Sequence, residues 1–242
     1  VRIAQNLGIE KIAKFAKELN IYENPEQLLS LSLGSSETSL LKLTSAYCSF
    51  VNGGKLIIPK FIDRIQDSEG NTIFNSENRE CQGCDQISYV SENIPKIKNN
   101  FKQVISKETA YQMTSILEGT VKRGTAKKLK DLNLDLAGKT GTTNKNTDTW
   151  FIGFSSNYVI GIYVGYDEPS SLGRYETGSR TAMPIFKNFV INAVKKDKAR
   201  PFKIPQGIKM LVVNYKTGER ASYSDESIII EAFKEKDLVN NK

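Results

Sequence analysis

Apolar residues recur at helical spacing over residues 9 to 19, where Ile9, Ile12, Ala13, Ala16 and Leu19 share one face. The chain enters this region mid-helix at Val1-Arg2-Ile3, and Asn24-Pro25 breaks the helical pattern beyond it. A second helix is predicted from about Thr38 to Val51, with Leu40, Leu43, Tyr47 and Phe50 on one face. Thr38 is its expected N-cap and Asn52-Gly53-Gly54 its stop. Residues 56 to 66 read as a strand, with Pro59 near an edge, and Asn71 to Phe74 as its return. Residues 75 to 100 are polar and read as a surface insertion.

Further on, Ala110, Met113, Leu117 and Val121 make the buried stripe of a helix from Lys107 to Val121, capped by Ser106 and ended by Gly124. Residues 135–142, 149–155 and 158–165 are strand-like, and Ser156-Asn157 is a two-residue turn that makes a hairpin of the last two. A last helix is expected over 181–195, with Ala182, Ile185, Phe186, Phe189 and Val190 facing inward. Beyond Pro201 the pattern weakens to short strand signals, so 1–200 reads as one domain portion and 201–242 as a C-terminal extension. The uneven mixture predicts an α+β fold, an antiparallel sheet flanked by helices.

Composition narrows the chemistry. The 242 residues are 39% apolar and 25% charged, an ordinary globular balance. Lys and Arg exceed Asp and Glu by 34 to 27, a formal charge of +7 that suits nucleic acid, an anionic cell-wall polymer or a membrane surface. The positive residues are spread rather than clustered, so charge alone decides little; the reading adopted below has no nucleic-acid partner. There is no histidine, which removes Ser-His-Asp and Cys-His catalysis and every His-ligated metal site. Cys81-Gln-Gly-Cys84 is half a zinc site without a second half, so no metal is expected. A local disulfide in an oxidising compartment is the expectation, with reduced thiols as the alternative. Cys48 reads as a small core residue.

One segment carries chemistry. Lys139-Thr140-Gly141-Thr142-Thr143-Asn144 follows a strand and precedes the hairpin. Bare Lys-Thr-Gly recurs by chance, and alone a strand end with a surface lysine is the plainer reading. An edge strand, however, can hold an extended peptide by main-chain hydrogen bonds. Alternation puts the hydroxyls of Thr140 and Thr142 on one side, where both could meet one carboxylate beside the charge of Lys139. The Thr142 N–H could supply half of an oxyanion hole.

In context the segment resembles a known family. Ala137 to Asn144, then Asp148-Thr149-Trp150-Phe151-Ile152-Gly153-Phe154, is similar to the third-motif strand and following hairpin of class A, bifunctional penicillin-binding proteins. Val164-Gly165-Tyr166-Asp167, Glu176-Thr177-Gly178, Leu33-Gly34-Ser35-Ser36-Glu37 and Arg123-Gly124-Thr125-Ala126 continue the likeness, in order, over roughly residues 1 to 215. The resemblance implies the C-terminal part of a penicillin-binding/β-lactamase-like transpeptidase fold, incomplete at its N-terminal side. It implies a D,D-transpeptidase that cross-links peptidoglycan stem peptides on lipid-linked glycan strands through an acyl-serine, with β-lactams as inhibitors and no cofactor. The parent would also carry a glycosyltransferase domain and a membrane anchor, on the outer face of the cytoplasmic membrane. Lys139, Thr140, Gly141 and Thr142, then Thr143 and Asn144, would form the substrate-binding strand, with Trp150, Gly178 and Arg180 as weaker neighbours.

The family's other motifs have imitators here. Ser39-Leu-Leu-Lys42 spells the nucleophile motif S-x-x-K, and Ser76-Glu-Asn78 and Ser91-Glu-Asn93 spell S-x-N. All three are expected to be decoys: Ser39 belongs to a helix that in the family lies between the second and third motifs, and the two S-x-N matches lie in the polar insertion, where Ser and Asn are abundant. The nucleophile and its lysine are then expected upstream of Val1, leaving the covered chain inactive alone. The rival readings are a serine β-lactamase or D,D-carboxypeptidase, a non-catalytic chain that binds cell-wall peptide, and a nucleic-acid binder.

Overall fold

The computed structural model describes residues 1–76, 81, 82, 84, 96–98, 100–194 and 200–239. These fall into two units, residues 1–56 with 103–242, and residues 57–102. In the larger unit the chain opens with helices α1 (Arg2–Leu7) and α2 (Ile9–Glu18) and a 3-10 turn at Leu29–Leu33. Ala4, Ala13, Ala16, Leu19 and Leu31 are buried there.

Helix α3 (Leu40–Val51) is capped one residue later than expected. Ser39, not Thr38, is the N-cap, its Oγ accepting the Lys42 N–H at 3.2 Å. The Thr38 hydroxyl instead donates to the Ile21 carbonyl at 2.8 Å, so it ties down the preceding loop.

The smaller unit holds β1 (Arg64–Gln66) paired antiparallel with β2 (Thr72–Asn75), and β3 (Cys81–Gln82) paired with β4 (Lys96–Ile97). The strand expected over 56–66 is confined to its last three residues. Pro59 lacks the N–H a ladder needs, and Ile58, Phe61 and Ile62 are exposed. A disulfide joins Cys81 and Cys84.

The larger unit resumes with α4 (Lys107–Lys122), capped by Ser106 Oγ on the Thr109 N–H at 3.2 Å. Then come β5 (Ala137–Thr142), β6 (Asp148–Phe154) and β7 (Val159–Gly165), an antiparallel sheet in the order β5-β6-β7. The turn at 156–157 fixes the register, with Gly153 opposite Ile160 and Trp150 opposite Tyr163. Helix α5 (Ala182–Ala193) follows.

The sheet is covered on both faces. On one, Thr44 and Leu40 of α3 lie against Gly161, and Leu117 of α4 packs with Tyr47, Phe50, Ala137 and Phe154. On the other, α5 buries Ala182, Met183, Phe186 and Val190 against Phe151 and Leu129. Ile185 and Phe189, expected inward, are about half exposed, at 46% and 49%. Met183 occupies the buried arc instead, about 100° round the helix from Ala182.

Past residue 200 the structure is more regular than its pattern suggests. Strands β8 (Ile208–Asn214) and β9 (Ile228–Lys234) pair over their whole length before the short helix α6 (Glu235–Val239). Strand β9 lies on α4, where Gln112 Nε2 donates to the Ala232 carbonyl at 3.0 Å.

Candidate active site

Strand β5 is an edge strand whose neighbour is β6 alone among the described residues. The Thr143 N–H donates to the Asp148 carbonyl at 3.1 Å, which fixes the phase of the ladder. In an antiparallel pair, alternate residues turn their backbone groups to the partner. Odd-numbered residues of β5 therefore face β6, and Gly138, Thr140 and Thr142 present theirs to the free edge.

That edge is not open throughout. The Gly138 carbonyl accepts the Thr120 hydroxyl of α4 at 2.7 Å. Ala137 and Gly138 are buried, whereas Lys139 and Thr142 are exposed and Thr140 and Gly141 half-buried. Helix α4 thus closes the first part of the edge, and the accessible part coincides with Lys-Thr-Gly-Thr.

Side chains divide between the two faces. Thr140 and Thr142 share a face, as alternation requires, but each hydroxyl has its own partner. Thr140 Oγ1 lies 3.1 Å from Thr125 Oγ1, and Thr142 Oγ1 accepts the Gly178 N–H at 3.1 Å. Lys139 and Gly141 are on the opposite face, where Trp150 and Tyr163 continue the row across the sheet. Lys139 Nζ donates to the Thr140 carbonyl. The Trp150 and Tyr163 rings meet at 4.8 Å, and the Tyr163 hydroxyl donates to Asp148 Oδ1 at 2.9 Å. That bond to Asp148 raises the Tyr163 pKa above the usual phenol value.

The remaining predicted residues separate into support and periphery. Thr143 closes the turn, its Oγ1 accepting the Asp148 N–H at 2.8 Å, and Asn144 is exposed at the head of a 3-10 turn. Gly178 sits behind the strand. A Cβ there would stand 2.4 Å from the Trp150 carbonyl and 2.6 Å from that of Gly141, so only glycine lets this loop seat against the pair. Arg180 is exposed, with its guanidinium 5.7 Å from the Tyr175 ring centroid.

Ser39 and Lys42 are not brought to β5 as a catalytic pair. The Ser39 oxygen caps α3, and Lys42 Nζ pairs with Glu23 Oε1 at 3.0 Å, holding the Glu23 carboxyl below its usual pKa. Both residues line a polar cleft of about 550 Å³ with Tyr22, Glu26, Ser36 and Glu37. Ser76 hydrogen-bonds Asp63, while Asn78, Ser91 and Asn93 lie outside the described residues. Cys48 is a helix residue whose thiol burial pushes upward in pKa. Among the described residues no three acidic or cysteine side chains are placed to share a metal ion, and no helix is long and apolar enough to cross a membrane.

Comparisons with known proteins identify the family. The model of the penicillin-binding protein transpeptidase domain matches residues 1–190. Penicillin-binding protein 1A of Rickettsia bellii is 42% identical over 97% of this chain and 30% of its own length. The crystal structure of penicillin-binding protein 1A from Haemophilus influenzae superposes with a TM-score of 0.75 at 30% identity, covering 96% of this chain and 37% of that one. PonA1 from Mycobacterium tuberculosis, in complex with penicillin V, shares the fold at a TM-score of 0.53 and 22% identity, over 76% of this chain and 45% of that one. The chain belongs to the transpeptidase domain family of class A penicillin-binding proteins. It spans about 30% of the length of its rickettsial relatives.

Proposed function

We propose that this chain forms one wall of the acylation groove of a peptidoglycan D,D-transpeptidase, with Lys139-Thr140-Gly141-Thr142 as the strand that holds the peptide. The observation that carries the reading is the partly closed edge of β5. The Thr120 hydroxyl occupies it at Gly138, and it is accessible from Lys139 to Thr142. A peptide in extended form adds to such an edge by main-chain hydrogen bonds at Thr140 and Thr142. Lys139 supplies positive charge on the face it shares with Trp150 and Tyr163.

The chemistry follows from family membership. A serine oxygen attacks the carbonyl carbon of the penultimate D-alanine. The peptide C–N bond breaks, and the terminal D-alanine leaves with the serine's proton. An amino group of a neighbouring stem peptide then attacks the ester, forming the cross-link and returning a proton to the serine. The Thr142 N–H, turned to the free edge, is the donor assigned to the oxyanion of both tetrahedral states. β-Lactams enter the same groove and stop at the ester.

The nucleophile in this reading is not Ser39, whose oxygen is engaged as a helix cap. It belongs to the part of the relatives' length that these residues do not span. A glycosyltransferase domain and a membrane anchor that places the site at the outer face of the cytoplasmic membrane are assigned to that same remainder.

Labelling with fluorescent penicillin tests the proposal. A polypeptide of the relatives' full length that contains these residues should label, and residues 1–242 alone should not. Labelling of the isolated chain that Ser39→Ala abolishes would overturn the assignment.

A further inference from the structure

The hairpin β8–β9 lies beyond the residues that the family model matches, yet it is wired to the groove strand. Glu231 of β9 directs both carboxylate oxygens at α4. Ser115 Oγ donates to Oε2 at 3.3 Å, and Arg123, which ends α4, donates from its guanidinium to Oε1. The carboxylate is largely shielded, with 18% of the side chain accessible.

Arg123 reaches Glu231 by folding back over Gly119, where a Cβ would come within 2.9 Å of its guanidinium carbon. The bare helix surface at Gly119 is therefore part of the arrangement. The turn after Arg123 is equally tight: the Gly124 and Ala126 N–H groups both donate to the Thr120 carbonyl, at 3.1 and 3.0 Å. This turn carries Thr125. Thr120 holds the Gly138 carbonyl and Thr125 the Thr140 hydroxyl, so the end of α4 grips β5 on both sides of Lys139.

We propose that Glu231 is a positioning residue for the edge strand, acting through Ser115 and Arg123 on the end of α4 that bears Thr120 and the turn after it that bears Thr125. The inference rests on the transpeptidase reading above for its effect on catalysis, but the mechanical link does not. Fixing Arg123 fixes the turn, and the turn sets how far the Thr140–Thr142 edge stands from an incoming peptide. Small displacements of a groove wall are costly, because acylation depends on near-attack geometry.

Two measurements on a full-length polypeptide containing these residues test it. The first is the rate constant of penicillin acylation for Glu231→Gln, for Thr125→Val and for the double variant. A loss of folded protein lowers the labelled amplitude, whereas a displaced strand slows the rate of the molecules that label. Each single substitution should slow acylation about tenfold, and the double variant should be little slower than either single one. An unchanged rate in Glu231→Gln, or slowing in the double variant equal to the product of the two single effects, would overturn the proposal. The second is amide hydrogen exchange, which needs no activity. Exchange in residues 138–142 should speed up in Glu231→Gln. Unchanged exchange there would refute the link to the strand, whereas faster exchange in a protein that takes no penicillin would refute the transpeptidase reading and leave the link standing.

Discussion

Two segments of this chain spell motifs of one enzyme family, and the structure treats them in opposite ways. Ser39-Leu-Leu-Lys42 has the letters of a nucleophile and its lysine, yet the serine oxygen accepts a backbone N–H of its own helix and the lysine pairs with Glu23. Lys139-Thr140-Gly141-Thr142 has commoner letters, yet it lies on an edge strand with its outward backbone accessible just where the motif runs. What separates a site from its imitation is the set of bonds already made. Ser39 and Lys42 are spent on a helix cap and a local ion pair, whereas β5 has side-chain partners but no partner strand along Thr140 and Thr142 among the described residues.

The sharpest way to break this contrast is to remove the two lysines in turn. In a polypeptide of the relatives' full length, Lys139→Ala should slow penicillin acylation by about a hundredfold, the scale of losing one group that stabilises developing charge. Lys42→Ala should leave the rate unchanged and cost at most about 1 kcal/mol, because the Lys42–Glu23 pair is exposed. Equal effects at the two positions in stopped-flow labelling would erase the distinction.

Next in size is the seat behind the strand. Gly178→Ala places a methyl group against the carbonyls of Trp150 and Gly141, and should cost about 1–3 kcal/mol in denaturant unfolding while slowing acylation. A neutral result would mean that the loop does not brace β5.

Ser39→Ala should cost about 1 kcal/mol, the loss of a helix cap, and leave the acylation rate unaltered. The other end of the same helix gives an effect confined to alkaline pH and absent at neutrality. Burial pushes the Tyr47 phenol up to about 12, so folding favours its protonated form. Its contribution is fully present below the unfolded phenol value near pH 10 and is lost as pH rises from 10 towards 12. Tyr47→Phe should therefore flatten the alkaline fall in Tm, and an unaltered slope would contradict the burial assigned to it.

Much of this was legible in the residues. The Ser106 cap, the α4 stripe and the Ser156-Asn157 turn specify their elements locally, and the turn alone sets the register that pairs Trp150 with Tyr163. Tyr163 was thus discoverable as a neighbour of the site by counting outward from that turn. Other features carry no local signal. The Thr120, Thr125 and Gly178 contacts to β5 join residues 18, 15 and 36 positions apart, and no pattern of apolar spacing encodes them. The buried face of α5 is not legible, because apolar residues surround the helix and periodicity cannot choose the buried arc. The apolar run at 56–66 reads as a strand, but Pro59 interrupts it and Ile58, Phe61 and Ile62 are exposed. The β8–β9 hairpin leaves only a weak signal, because its strands are separated by a long polar connection rather than a two-residue turn.

The central claim, that the Lys-Thr-Gly edge works with a serine other than Ser39, is tested most directly by locating the acyl group. A polypeptide of the relatives' full length containing these residues would be acylated with penicillin, digested and mapped by mass spectrometry. The account predicts an adduct on a serine outside residues 1–242, formed far more slowly in Lys139→Ala. An adduct on Ser39, or one whose rate is indifferent to Lys139, would contradict it.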